Sequence, residues 1–66
     1  MMSSDNSITL GPREHEKLGI YHCGVTRDGF IAVAGEPRNI EDGETISFER
    51  SGITAVRKGS EYIFNR

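Results

Sequence analysis

Thr45-Ile46-Ser47-Phe48-Glu49-Arg50-Ser51-Gly52-Ile53-Thr54-Ala55-Val56-Arg57-Lys58-Gly59-Ser60-Glu61-Tyr62-Ile63-Phe64-Asn65 decides the fold class. Three runs rich in β-branched and aromatic residues are punctuated by Ser51-Gly52 and by Lys58-Gly59-Ser60. Turn residues at this spacing mark short strands, and connections this tight force antiparallel neighbours. In Thr45–Glu49 the alternation is clean, with Ile46 and Phe48 on one face and polar residues on the other, as a half-buried strand requires. In Glu61–Asn65, Tyr62 and Phe64 share a face that Ile63 opposes.

The same grammar extends toward the N-terminus. Glu41-Asp42-Gly43 reads as a turn, and Arg27-Asp28-Gly29 as a hairpin turn joining Ile20–Thr26 to Phe30–Ala34, because Asp-Gly readily supplies positive φ. Phe30-Ile31-Ala32-Val33-Ala34 is apolar on both faces. Glu36-Pro37-Arg38-Asn39 is less regular, since Pro37 bars a central strand and biases Glu36 toward extended geometry. Further upstream the pattern changes. Pro12 suits the first position of a helix and Gly19 a helix end, so Gly11–Gly19 reads as one helical turn or an ordered loop. Ile8-Thr9-Leu10 is a short edge strand or packs loosely, and Met1–Ser7 is an unpatterned tail.

The expected fold is therefore all-β, a small single domain of four to five short antiparallel strands forming a meander or small SH3-like barrel. One short helical turn near the N-terminus is allowed. Residues 1–10 are expected as a disordered or loosely packed tail and residues 11–66 as one β-rich domain. No internal repeat is visible beyond the Asp-Gly turns.

Composition narrows the function classes. The chain has 66 residues, 35% of them hydrophobic, and a formal charge of −2. A chain of this size buries only about 60% of its unfolded surface, so its core is thin. Its single cysteine excludes an intramolecular disulfide and a thiolate cluster for zinc, the usual staples of a small domain. The net negative charge argues against a broad grip on phosphates. No apolar stretch approaches the roughly 18 residues of a membrane span, and the start lacks the pattern of a secretory signal. A lone thiol suits a reducing compartment, so the cytoplasm is the expected location.

Candidate chemistry is sparse. His22-Cys23 is the one place where a base adjoins a nucleophile, but neighbours on a strand point to opposite faces, so the two cannot pair. His15, His22, Cys23 and a carboxylate match no closed zinc pattern. Lys58-Gly59-Ser60 lacks the earlier glycine and the following helix of a phosphate loop. No catalytic residue, cofactor or metal is expected.

Charge is uneven. Glu36, Glu41, Asp42, Glu44 and Glu49 face a single Arg38, whereas Arg50, Arg57, Lys58 and Arg66 face only Glu61. Either these are solvated hairpin ends, or they are complementary edges that steer a partner. The expected function is a small non-enzymatic protein-interaction module, an accessory, regulatory or inhibitory factor. Candidate contact residues are Glu36, Pro37, Arg38, Arg57, Lys58 and Tyr62. A homodimer is also expected, because two-faced strands in so short a chain call for a second copy. The alternative is a nucleic-acid-binding small β-barrel using the basic C-terminal hairpin, with Tyr62 and Phe64 either stacking bases or filling the core. A thiol or metal enzyme centred on Cys23 ranks last.

Overall fold

A computed structural model describes residues 6–66, and the first five residues of the expected tail lie outside it. The chain forms eight strands: β1 (Ser7–Leu10), β2 (His15–Leu18), β3 (Tyr21–Arg27), β4 (Phe30–Val33), β5 (Glu36–Asn39), β6 (Thr45–Phe48), β7 (Ile53–Lys58) and β8 (Glu61–Asn65). They make two antiparallel four-stranded sheets, sheet A in the order β1-β8-β7-β6 and sheet B in the order β2-β3-β4-β5.

The all-β reading holds, as do the hairpins around Gly29, Gly52 and Gly59. Those three glycines and Gly43 sit at φ between 65 and 84°. The strand count is corrected from four or five to eight, and three segments account for the difference. His15–Leu18 is a strand paired with β3, not a helical turn. Gly19 is left-handed as a helix end would be, but it starts the Gly19-Ile20 hairpin loop instead. Of the two readings of Ile8–Leu10 the edge strand holds: Ser7–Leu10 lies at the edge of sheet A, pairs with β8 from Ser7↔Asn65 to Leu10↔Tyr62 and buries Leu10. Glu36–Asn39 is the edge strand of sheet B, the one kind of sheet position that accepts Pro37.

A repeat also emerges. Exchanging the numbers of β1–β4 with those of β5–β8 turns the order of sheet B, read from its other edge, into that of sheet A. Each half contributes a three-stranded meander to one sheet and sends its first strand into the other. The two crossings are built alike. In one, Gly11 N–H donates to Glu14 Oε1 (2.6 Å) and Arg13 N–H to Val25 O (2.7 Å). In the other, Glu41 N–H donates to Glu44 Oε1 (2.8 Å) and Gly43 N–H to Arg57 O (2.8 Å). The third residue of each crossing is left-handed, Arg13 at φ 68° and Gly43 at 84°.

The core lies between the sheets. Leu10, Phe48, Ile53, Ala55, Tyr62 and Phe64 come from sheet A, Leu18, Cys23, Val25, Ile31 and Val33 from sheet B, and Ile40 from the residue between β5 and the second crossing. Burying side chains of this size contributes roughly 1.5–3 kcal/mol each, which lets a thin core hold a short chain. Tyr62 ties the sheets together, its hydroxyl accepting the Gly29 N–H at 2.7 Å. The inner faces cover one another, while Phe30 and Ala32 stand on the outer face of sheet B and Val56 and Ile63 on that of sheet A. Among the described residues the large side chain left well exposed is Ile20, at 78%. No helix among them is long and apolar enough to cross a membrane.

Candidate interaction surface

Sheet B turns its other face to solvent, and strand parity decides what stands there. With Cys23, Val25, Ile31 and Val33 pointing inward, β3 presents His22, Gly24 and Thr26 outward, and β4 presents Phe30 and Ala32. Register then puts His15 and Lys17 of β2, and Pro37 and Asn39 of β5, on the same face. The guanidinium of Arg27 lies 5.1 Å from the centroid of the Phe30 ring, and Arg13 flanks Thr26. Three permanent cations and two imidazoles thus share one face. No outward position of β2–β5 carries a carboxylate.

The floor of this face is low in the middle. One cross-strand row reads His15, Gly24, Ala32, Pro37, so its two central positions have little or no side chain. Two adjoining depressions result, of about 350 and 370 Å³. The first is lined by Arg13, His15 and Thr26, the second by His15, His22 and Gly35, and both rest on Gly24 and Ala32.

The residues singled out from sequence are dispersed rather than gathered. Glu36 faces the inner side of β5 and pairs with Arg50 at 3.8 Å. Arg38 also faces inward and lies over the rim of the core, 5.6 Å from the Phe48 ring centroid. Pro37 alone of that trio belongs to the outer face of sheet B. Arg57 is occupied locally, its Nε donating to Gly59 O (2.7 Å) and its Nη1 to Ile40 O (3.0 Å). Lys58 is exposed opposite Glu61. Tyr62 is fully buried and so is withdrawn as a contact residue; Phe64 is buried with it. That removes both aromatic rings from a base-stacking role in the C-terminal hairpin.

Cys23 points into the core and is 1% exposed, while His22 stands on the opposite face. Burial pushes the thiol up from 9.0 to about 11, because the thiolate would lose its solvent. A thiol held protonated at neutral pH is a poor nucleophile. Among the described residues no three His, Cys, Asp or Glu side chains gather where they would hold a metal ion.

Sequence reasoning missed the Arg13, His15, Lys17 and Gly24 grouping. The signal was available in part: His22-x-Gly24-x-Thr26 alternates against Cys23-x-Val25. Reading His15–Leu18 as a strand would have added the flanking cations. Compared with known proteins, the chain matches no protein-family model, no curated protein and no solved structure.

Proposed function

We propose that this chain is a non-enzymatic interaction module that binds another protein through the outer face of β2–β5. The observation that carries the reading is the charge of that face: cations and imidazoles at its rim, a floor of Gly24, Ala32 and Pro37, and no outward carboxylate. On a chain of net charge −2, the segregation selects an anionic counterpart and speeds encounter with it.

A nucleic acid is a weaker match to the same face. With three permanent cations to neutralise phosphates, the salt slope for a single strand would be only about −2, the mark of feeble binding. Stacking would fall to Phe30, whose ring already carries Arg27. A protein surface needs fewer charges and accepts the flat, partly apolar floor.

The reading is tested by capture from a native-host lysate on immobilised protein. The wild type is compared with Arg13→Glu/Lys17→Glu/Arg27→Glu, and with Ser47→Glu/Thr54→Glu on the outer face of sheet A as a control. A protein retained by the wild type and the control but lost with the triple reversal is expected. Retention that survives the reversal, or a catch that disappears on nuclease treatment, would overturn the reading.

A further inference from the structure

Two residues in the depression of sheet B break local rules, and they break them side by side. Arg13 is left-handed at φ 68° in a crossing whose structural twin places Gly43 at the same point. Glycine is the residue that adopts this conformation without strain, and a long side chain there is held against its preference. Gly24 is the reverse case. It sits in the middle of β3 and is absent from the residues at positive φ, so its backbone does not require glycine. A glycine inside a strand weakens it and often marks a close approach by something else.

The neighbours of these residues say what approaches. A Cβ at position 24 would lie 3.2 Å from the His15 Cβ and 3.7 Å from Glu14 O, in the space that the depression occupies. The His15 Cβ is fixed to a backbone held against β3 by the bonds from Arg13 N–H to Val25 O (2.7 Å) and from Val25 N–H to Glu14 O (2.9 Å). A side chain at position 24 would therefore require β2 to shift. Glycine at position 24 thus lets the two strands approach this closely, and it leaves the floor of the depression low. Arg13, His15 and His22 line the gap. His15 and His22 occupy diagonal positions on paired strands, where backbone positions lie about 7–8 Å apart and long side chains come within reach of one ligand. The guanidinium adds a fork suited to a carboxylate.

We infer that the depression over Gly24 seats a carboxylate, the side chain of an aspartate or glutamate in an extended segment of the partner protein, with Arg13, His15 and His22 as its donors. This rests on the reading that sheet B binds a protein, and it adds the chemistry of the contact. The missing side chain at position 24 admits the acidic group, and the strained Arg13 caps it.

The test uses a fluorescein-labelled peptide of alternating glutamate and glycine at low salt, with oligothymidylate of equal charge as a second probe. The wild type is compared with Arg13→Gly, Gly24→Ala and His15→Gln/His22→Gln, and with Lys17→Glu/Arg27→Glu, which leaves the depression intact. Melting temperatures are read for all of them. Arg13→Gly is expected to lose at least about tenfold in peptide affinity, the worth of one charge-assisted hydrogen bond, while melting at or above the wild-type temperature. Gly24→Ala is expected to lose affinity as well but to melt lower, because its Cβ would meet the His15 Cβ at 3.2 Å. A merely structural role would lower the melting temperature and leave affinity unchanged, and would overturn the inference. Oligothymidylate binding more tightly than the peptide would overturn it in favour of a phosphate strand. If only Lys17→Glu/Arg27→Glu weakens the peptide, or if the peptide fails while lysate capture still depends on the face, the carboxylate seat falls and the protein-binding reading stands. Loss of face-dependent capture would remove that reading itself.

Discussion

At the residue scale, the molecule separates side chains that hold the fold from those that work against it. Arg13 belongs to the second group. A non-glycine residue in the left-handed region costs about 1–2 kcal/mol, so Arg13→Gly should stabilise the chain by about that much. For a domain of this size that amounts to several degrees in melting temperature. A fall in melting temperature would mean that the Arg13 side chain supports the fold. Tyr62 belongs to the first group. Removing its hydroxyl leaves the Gly29 N–H without its partner, and Tyr62→Phe should cost about 1–2 kcal/mol in urea melts. An unchanged midpoint would show that water replaces the bond.

Cys23 makes a prediction with a sign that depends on pH. Its folded pKa of about 11 lies above the ordinary 9.0, so the protonated thiol is favoured in the folded state. The contribution is complete below pH 9.0 and is lost as pH rises through about 11. Cys23→Ala should therefore be less stable than wild type at about pH 8, and the gap should narrow by about pH 10.5. A constant gap, or rapid modification of the native thiol near neutral pH, would contradict a protonated core cysteine.

At the element scale, what the sequence showed was its hairpins. Thr45–Phe48 with Ile53–Lys58, and Lys58-Gly59-Ser60-Glu61, pair as their alternation and turn residues indicate. Gly29 adopts φ 77°, and a Cβ there would meet Arg57 Nη1 at 3.1 Å and Ile40 O at 3.3 Å. Gly29→Val should thus destabilise by more than 1 kcal/mol, and more than Arg27→Val, whose site is exposed. Equal melting temperatures for the two variants would remove the assigned turn.

The strands that escaped notice share a physical cause. β2 has only Leu18 to bury, because an edge strand with one face in water needs little more, and the flanking Pro12 and Gly19 imitate helix punctuation. β5 carries Pro37, which signals an edge but gives no period of two. The candidate site suffered most from this. Its residues become neighbours only when His15–Leu18 is laid beside β3, a step that a local reading of hydrophobic period cannot take. Tyr62 misled for a different reason: an aromatic beside basic residues looks the same in sequence whether its ring stacks on a ligand or fills the core.

At the scale of the whole molecule, two halves exchange their first strands and so build two sheets from one plan. The repeat hid because Gly11-Pro12-Arg13-Glu14 and Glu41-Asp42-Gly43-Glu44 share only their last residue, while their hydrogen bonds and left-handed third positions coincide. The residues just before each crossing, Leu10 and Ile40, are both buried. Leu10→Ala and Ile40→Ala should therefore cost similar amounts, about 2–5 kcal/mol each. A Leu10 variant as stable as wild type would show that the exchanged first strand adds nothing to sheet A.

The same plan leaves the two outer faces chemically unlike. The outward positions of sheet A hold Thr9, Thr45, Thr54, Val56 and Ile63, with Lys58 opposite Glu61, whereas sheet B collects cations without carboxylates. That asymmetry is the basis for assigning contact to sheet B. It is tested most directly by titrating the isotope-labelled chain with the glutamate–glycine peptide and following backbone amide resonances. The account predicts shifts concentrated at Arg13, His15, His22, Gly24 and Ala32, with Thr45, Thr54 and Ile63 unmoved. Shifts centred on the outer face of sheet A, or spread evenly over both sheets, would contradict it.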